Sequence, residues 1–125
     1  KELKEKKIFK NKIYMNGPKL FNYVINTIPD LIEKCLKKNN LLIAEIDFII
    51  FHQANFYMID SLRKIMKLPN SKILTYFQDI GNTTSSSIPI VIKHFLNKKK
   101  ICKGNQILLV GFGVGFSSAA IPIKI

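Results

Sequence analysis

The chain has 125 residues, 47% of them hydrophobic, and its twenty Lys and Arg against eight Asp and Glu leave a net charge of +12. That length builds one domain with a core and excludes two, while the charge favours an acidic partner: nucleic acid, anionic lipid or an acidic carrier protein. No apolar stretch reaches the length of a membrane span and no signal-peptide pattern follows the basic start, so the expected location is cytoplasmic, with no membrane partner.

In chain order, residues 7–15 have strand character, and Asn16-Gly17-Pro18 makes a turn and a helix start. Leu20, Phe21, Val24, Ile25, Ile28, Leu31, Ile32, Cys35 and Leu36 then recur at helical steps and predict one broad apolar face. Pro29 is expected to kink or restart this helix, because proline removes a backbone donor and crowds the preceding turn. Asn39-Asn40 ends it. Residues 45–51 read as a central strand buried on both faces, with His52 at its far end. Asn55 is an N-cap for a helix through Phe56, Ile59, Leu62 and Met66, whose other face carries Arg63, Lys64 and Lys67. After Leu68-Pro69-Asn70, residues 72–77 predict another strand and residues 79–84 a polar loop. Residues 85–96 predict a helix with Ile88, Val91, Ile92, Phe95 and Leu96 inward and Pro89 in its first turn, where proline is tolerated. Residues 106–112 form a continuously apolar strand; Gly113-Val114-Gly115 bends the chain, and residues 116–125 return antiparallel at a sheet edge. The rhythm predicts an α/β layered fold with a mixed, mostly parallel sheet and a C-terminal antiparallel strand.

Cys35 and Cys102 lie far apart, without a CxxC spacing or a companion His, so they suggest neither a metal site nor a disulfide framework. Both read as small hydrophobes in a reducing compartment. The basic runs at residues 1–12 and 98–100 read as solvated surface. The chain starts at Lys1 rather than a methionine and its last strand-like run stops at Ile125, so a cut or processed fragment is expected.

His52, Asn82 and Phe112 follow one another at intervals of 30 residues. A strand, a crossover helix and the return strand take about 30 residues or more, so all three reach one edge of a parallel sheet, and that edge is where open α/β sheets bind ligands. Singly each has a bland reading. A lone His at a strand end serves structure, an Asn after Gly serves a turn, and a GxG satisfies positive φ. Together they offer a neutral imidazole N–H and an amide N–H without a carboxylate, a donor pair suited to a developing oxyanion such as a thioester enolate. Each well-placed donor is worth about 3 kcal/mol in a water-excluded site. Phe51, Phe112 and Phe116 are the expected walls, keeping His52 neutral by disfavouring its charged form.

His52-Gln53-Ala54-Asn55, then Gly81-Asn82-Thr83-Thr84-Ser85-Ser86-Ser87-Ile88-Pro89, then Gly111-Phe112-Gly113-Val114-Gly115 resemble, in order and at matching intervals, the C-terminal half of β-ketoacyl-acyl-carrier-protein synthase III, a thiolase-like condensing enzyme. The resemblance runs from about Met15 to the C-terminus. It implies a thiolase-like layered αβα half-fold over residues 1–125 and a Cys-His-Asn enzyme of fatty-acid biosynthesis. In such an enzyme a cysteine takes an acyl group from acyl-CoA, and malonyl-acyl-carrier protein is then decarboxylated. His52 and Asn82 match the family's two donors to the enolate oxygen, and the backbone N–H of Val114 matches a donor to the acyl oxyanion. Phe112, Gly113 and Gly17 match the active-site wall, and Lys64, flanked by Arg63 and Lys67, matches the carrier-docking face. The implied partners are acyl carrier protein, acyl-CoA and an N-terminal half bearing the nucleophilic cysteine, in a homodimeric parent. CoA and malonyl-carrier thioesters are its substrates, with no permanently bound cofactor.

The departures are specific. Tyr57 and Asn22 stand where family members often carry an arginine and a lysine that contact CoA or the carrier, and Ser118 stands in place of a tryptophan. Neither Cys35 nor Cys102 matches the nucleophile, so the fragment alone is expected to be inactive. The nearer alternative is a non-condensing acyltransferase of the same superfamily, with the retained Asn82 favouring condensation. A basic nucleic-acid-binding module is disfavoured, since basic and exposed aromatic residues do not interleave, and a pseudo-enzyme or structural half awaiting its partner chain is a third reading.

Overall fold

The structure, a computed structural model, describes residues 15–125, so the strand expected over residues 7–15 and the basic run at 1–12 lie outside or at the margin of the described residues. Helix α1 spans Gly17–Lys38. Its start is set by Asn16, whose side chain accepts the Lys19 N–H at 3.0 Å, and by Pro18 in the first turn, where no intrahelical donor is lost. The helix continues through Pro29 as one element. The penalty for an interior proline is about 3 kcal/mol. Val24, Ile28, Ile32 and Leu36 form a fully buried stripe on both sides of it, and burying four such side chains is worth roughly 6–12 kcal/mol. Packing therefore outweighs the missing bond. Asn39 ends the helix as expected, donating from its backbone N–H to Cys35 and Leu36 and from Nδ2 to the Cys35 carbonyl at 2.8 Å.

Strand β1 covers Phe48–Phe51, shorter than the sequence suggests. Residues Ile43–Glu45 form a 3₁₀ turn instead, closed by the Glu45 carboxylate accepting the Leu42 N–H at 2.6 Å. Helix α2, Phe56–Ile65, starts at Asn55, whose Oδ1 accepts the Met58 N–H at 2.9 Å. Phe56 is 63% exposed, against the expectation, because Met58, Ile59 and Leu62 take the inward positions.

The strand expected at residues 72–77 is reduced to a single parallel bridge between Ile73 and Ile49. Two local competitors explain this. Residues Asn70–Lys72 close a 3₁₀ turn, and the Tyr76 N–H bonds the side chain of Gln53 instead of a neighbouring strand. Part of the expected polar loop is a helical turn, α3, Phe77–Ile80. Helix α4 spans Ser87–Asn97 with Val91 buried and Ile88, Ile92 and Phe95 packed inward; Leu96 stays 39% exposed, near the helix end.

Strand β2, Gln106–Gly113, pairs in parallel with β1, and β3, Ser117–Lys124, pairs antiparallel with β2 at the sheet edge. The order β1-β2-β3 is a mixed sheet. Strand alternation divides its side chains between two cores. Ile49, Phe51, Leu108, Val110 and Phe112 pack with α1 and α2, whereas Ile50, Ile107 and Leu109 pack with α4. Helices cover both faces, which leaves the carboxyl ends of the parallel strands as the open edge.

Candidate active site

His52 follows β1 directly and extends its ladder, donating from its backbone N–H to the Val110 carbonyl at 2.8 Å. The parallel register Phe51↔Val110 brings His52 beside the end of β2, where Phe112 meets the imidazole edge to face at 5.6 Å. Asn82 arrives from the other direction, after α3 and before α4. Gly81 makes that approach possible: its φ of 65° and ψ of −159° form a backbone conformation that is essentially glycine-only.

These groups line one cleft of about 1020 Å³, together with Gly17, Gly113 and Val114. Phe51 and Phe116 do not line it, against expectation. Phe51 points into the core under α1 and α2, and Phe116, at φ 53° in the hairpin turn, packs edge-on against Tyr23 at 5.2 Å. The amino-terminal turns of α1, α2 and α4 all face the cleft, through Gly17, Pro18, Leu20 and Phe21, through Asn55, Tyr57 and Met58, and through Ser87 and Ile88 with the preceding Thr84 and Ser85. No Lys, Arg, Asp or Glu lines it among the described residues. Helix amino termini carry partial positive charge, so the cleft favours an anion and disfavours an imidazolium.

Both candidate donors have polar partners within the fold. Asn82 Oδ1 accepts the Thr84 N–H at 2.9 Å, which leaves Nδ2 as the remaining donor. Thr84 adopts φ 51°, a left-handed conformation costly for a β-branched residue. His52 Nδ1 lies 2.9 Å from Ser87 Oγ. Burial lowers the His52 pKa below the ordinary imidazole value, and a hydrogen bond to the Thr84 backbone acts in the opposite direction. Gln53, fully buried, donates from Nε2 to the Phe51 carbonyl at 2.7 Å and accepts the Tyr76 N–H at 2.9 Å.

The basic residues of α2 stand apart from the cleft. Arg63 is held by Asp60, with Nη2 and Oδ1 2.8 Å apart, and by the Leu68 carbonyl at 3.1 Å, so its guanidinium braces the end of the helix. Lys64, 67% exposed, pairs with Asp60 at 2.7 Å, and Lys67 is exposed in the following turn. Hydrogen bonds from Lys64 and then Arg63 hold the Asp60 carboxyl below its ordinary range. Neither cysteine reaches the cleft: Cys35 Sγ bonds the Ala120 carbonyl at 3.3 Å, and Cys102 lies exposed near Lys99.

Residues 36–125 match the family described as 3-oxoacyl-[acyl-carrier-protein (ACP)] synthase III C terminal. The chain belongs to that family. Its relatives include the β-ketoacyl-[acyl-carrier-protein] synthase III of Clostridium perfringens, 38% identical over 120 residues that cover 96% of this chain and 37% of the relative. That of Porphyra umbilicalis is 35% identical over 112 residues, covering 90% of this chain and 34% of the relative. The solved synthase III of Thermus thermophilus superposes with a TM-score of 0.87 at 30% identity, covering 92% of this chain and 36% of that one. For the Aquifex aeolicus enzyme the TM-score is 0.86 at 28% identity, covering 91% and 37%. The chain thus spans about a third of the length of the curated relatives it matches. The thiolase-like α/β half-fold expected from the motifs is the one found.

Two residues of this synthase III C-terminal domain escaped the sequence reading. Gln53 was visible only as a letter of the His-Gln-Ala-Asn motif, although a second polar residue just beyond a fully apolar strand was a usable signal. Replacing Gln53 with leucine leaves the Tyr76 N–H and the Phe51 carbonyl without this partner and is expected to cost about 2–3 kcal/mol in urea denaturation of the full-length protein. Ser87, the other, sits in a serine run whose members are indistinguishable by sequence.

Burial of His52 also carries a pH signature. Its folded pKa lies below the unfolded value near 6.5, so the unfolded chain binds the proton first as the pH falls. The stability contribution is present above the unfolded value and is lost as the pH drops through the folded one. The denaturation midpoint of the full-length protein is expected to decline on acidification below about pH 6.5. His52→Asn is expected to remove that component, and an unchanged pH profile in the variant would contradict the assignment.

Proposed function

We propose that this chain supplies the enolate-stabilising half of a β-ketoacyl-acyl-carrier-protein synthase III. The full-length protein is an acyltransferase of fatty-acid biosynthesis that condenses an acyl group, taken from acyl-CoA, with malonyl-acyl-carrier protein. The single observation that carries this reading is the presence of His52 and Asn82 in one uncharged cleft at the carboxyl edge of the sheet, each with its other polar atom engaged.

The chemistry follows from those donors. When the malonyl thioester loses carbon dioxide, the electrons of the breaking C–C bond move onto the thioester carbonyl as an enolate. Hydrogen bonds from a ring N–H of His52 and from Asn82 Nδ2 stabilise that oxygen, each by about 3 kcal/mol. The enolate carbon attacks the acyl carbonyl held on a cysteine, and the backbone N–H of Val114 receives the resulting oxyanion. Collapse expels the thiolate. Gly17, Phe112 and Gly113 wall the thioester arm. Cys35 and Cys102 lie outside the cleft, so the nucleophile is assigned to an N-terminal half of the same enzyme, in a cytoplasmic homodimer. The reaction needs no resident cofactor.

For the carrier, the exposed ammonium groups of Lys64 on α2 and of Lys67 in the turn after it are the contacts, with Arg63 bracing the helix. Lys64 is about 10 Å along the helix from Tyr57 at the cleft mouth, at 1.5 Å per residue. The test is to incubate the full-length protein with acyl-CoA and malonyl-acyl-carrier protein. Release of carbon dioxide with formation of a β-ketoacyl-carrier product is expected. Acyl transfer without carbon dioxide release would identify a non-condensing acyltransferase instead.

A further inference from the structure

We propose that Ser87 sets the tautomer of His52, keeping the ring proton on Nε2. Ser87 opens α4 and is completely buried. Its Oγ accepts the backbone N–H of Gln53 at 3.2 Å and lies 2.9 Å from His52 Nδ1. A hydroxyl has one proton and two lone pairs. The Gln53 N–H occupies one lone pair and offers nothing that could accept the proton. Among the described residues Ser87 bonds no other acceptor, so its proton goes to Nδ1. A neutral imidazole that accepts at Nδ1 must carry its own hydrogen on Nε2.

The opposite tautomer would turn Nδ1–H toward an oxygen already accepting from Gln53 and leave a buried hydroxyl proton unmatched, which buried polar groups avoid. The arrangement is rigid on the other side as well. The Gln53 side chain is fixed between the Phe51 carbonyl and the Tyr76 N–H, so the backbone donor aimed at Ser87 is held in place. Ser87 thus does for the imidazole what the Thr84 N–H does for the Asn82 amide: it engages the acceptor atom and leaves a donor for substrate. Ser87 is a positioning residue, acting through His52. Its catalytic consequence rests on the enolate reading above, whereas the tautomer is a property of the ring and the groups that bond it, the Ser87 hydroxyl and the Thr84 backbone.

The experiment is a two-bond ¹H–¹⁵N correlation spectrum of the full-length protein above the His52 pKa, with the ring signals assigned by their loss in His52→Asn. The wild type is expected to show an unprotonated Nδ1 and a protonated Nε2. Ser87→Ala is expected to give a mixture of tautomers and to lower kcat for carbon dioxide release by about 10- to 100-fold, with KM for the carrier substrate within about twofold. Ser87→Thr is expected to restore both. If the alanine variant does not fold, Ser87→Cys, which keeps the bulk but donates weakly, replaces it. A wild-type ring protonated on Nδ1, or a tautomer unmoved in Ser87→Ala or its Ser87→Cys replacement, overturns the proposal. A tautomer that moves in a protein devoid of condensing activity upholds the role of Ser87 and sinks the enolate reading.

Discussion

Replacing Asn82 with alanine in the full-length protein is expected to lower kcat for carbon dioxide release by about 10²- to 10³-fold, with KM for acyl-CoA nearly unchanged. In the proposed reaction the carboxamide hydrogen-bonds oxygen charge that appears only as the malonyl thioester breaks down, so its loss is felt in the transition state and hardly in the bound substrate. Its geometry is already fixed by Gly81 and by the Thr84 N–H, so no reorganisation energy is spent during the reaction. Radiolabelled malonyl-carrier protein measures the effect directly. A variant that still releases carbon dioxide within about threefold of the wild-type rate would remove Asn82 from the donor pair.

Phe51→Ala is expected to cost about 3–5 kcal/mol of folding stability. Phe51 is fully buried, opposite Val110 in the parallel register, in the core shared with α1 and α2. No smaller side chain can fill the space without moving a helix. Set against the roughly 5–15 kcal/mol that holds a typical domain together, this loss is a large share of the whole. Urea denaturation of the full-length variant checks it, and a loss below about 1 kcal/mol would mean that the core closes around the vacancy. The variant also reports on catalysis, because His52 is the next residue and its ladder bond to Val110 depends on β1 staying in register.

Much of this arrangement was legible in the residues. Periodicity located α1, because Val24, Ile28, Ile32 and Leu36 recur on one stripe, and continuous apolar runs located β1 and β2. Caps at Asn16, Asn39 and Asn55 marked helix ends through chemistry that depends on neighbours in sequence. What failed depended on partners distant in sequence. Residues 72–77 have strand composition, yet the Tyr76 N–H bonds Gln53, 23 positions earlier. Pro29 breaks a local rule that tertiary burial overrides. At the site, the 30-residue spacing brought His52, Asn82 and Phe112 together correctly. Of the three expected aromatic walls Phe112 lines the cleft, whereas strand alternation sends Phe51 inward and a left-handed turn sends Phe116 outward. Arg63 looked like a surface cation until Asp60 and the Leu68 carbonyl were seen to hold it.

The convergence of α1, α2 and α4 on a hollow without ionised side chains divides the labour of the surface from that of the interior. On the proposed function, attraction of an acidic macromolecule rests on outlying ammonium groups, which salt screens and which any basic residue can replace. In the proposed reaction, stabilisation of nascent negative charge rests on the side-chain donors His52 and Asn82, helped by peptide dipoles frozen in place when the helices fold. Those dipoles do not titrate, so in the proposed reaction the outer shell is free to vary from one carrier to another while the field at the reacting oxygen stays the same.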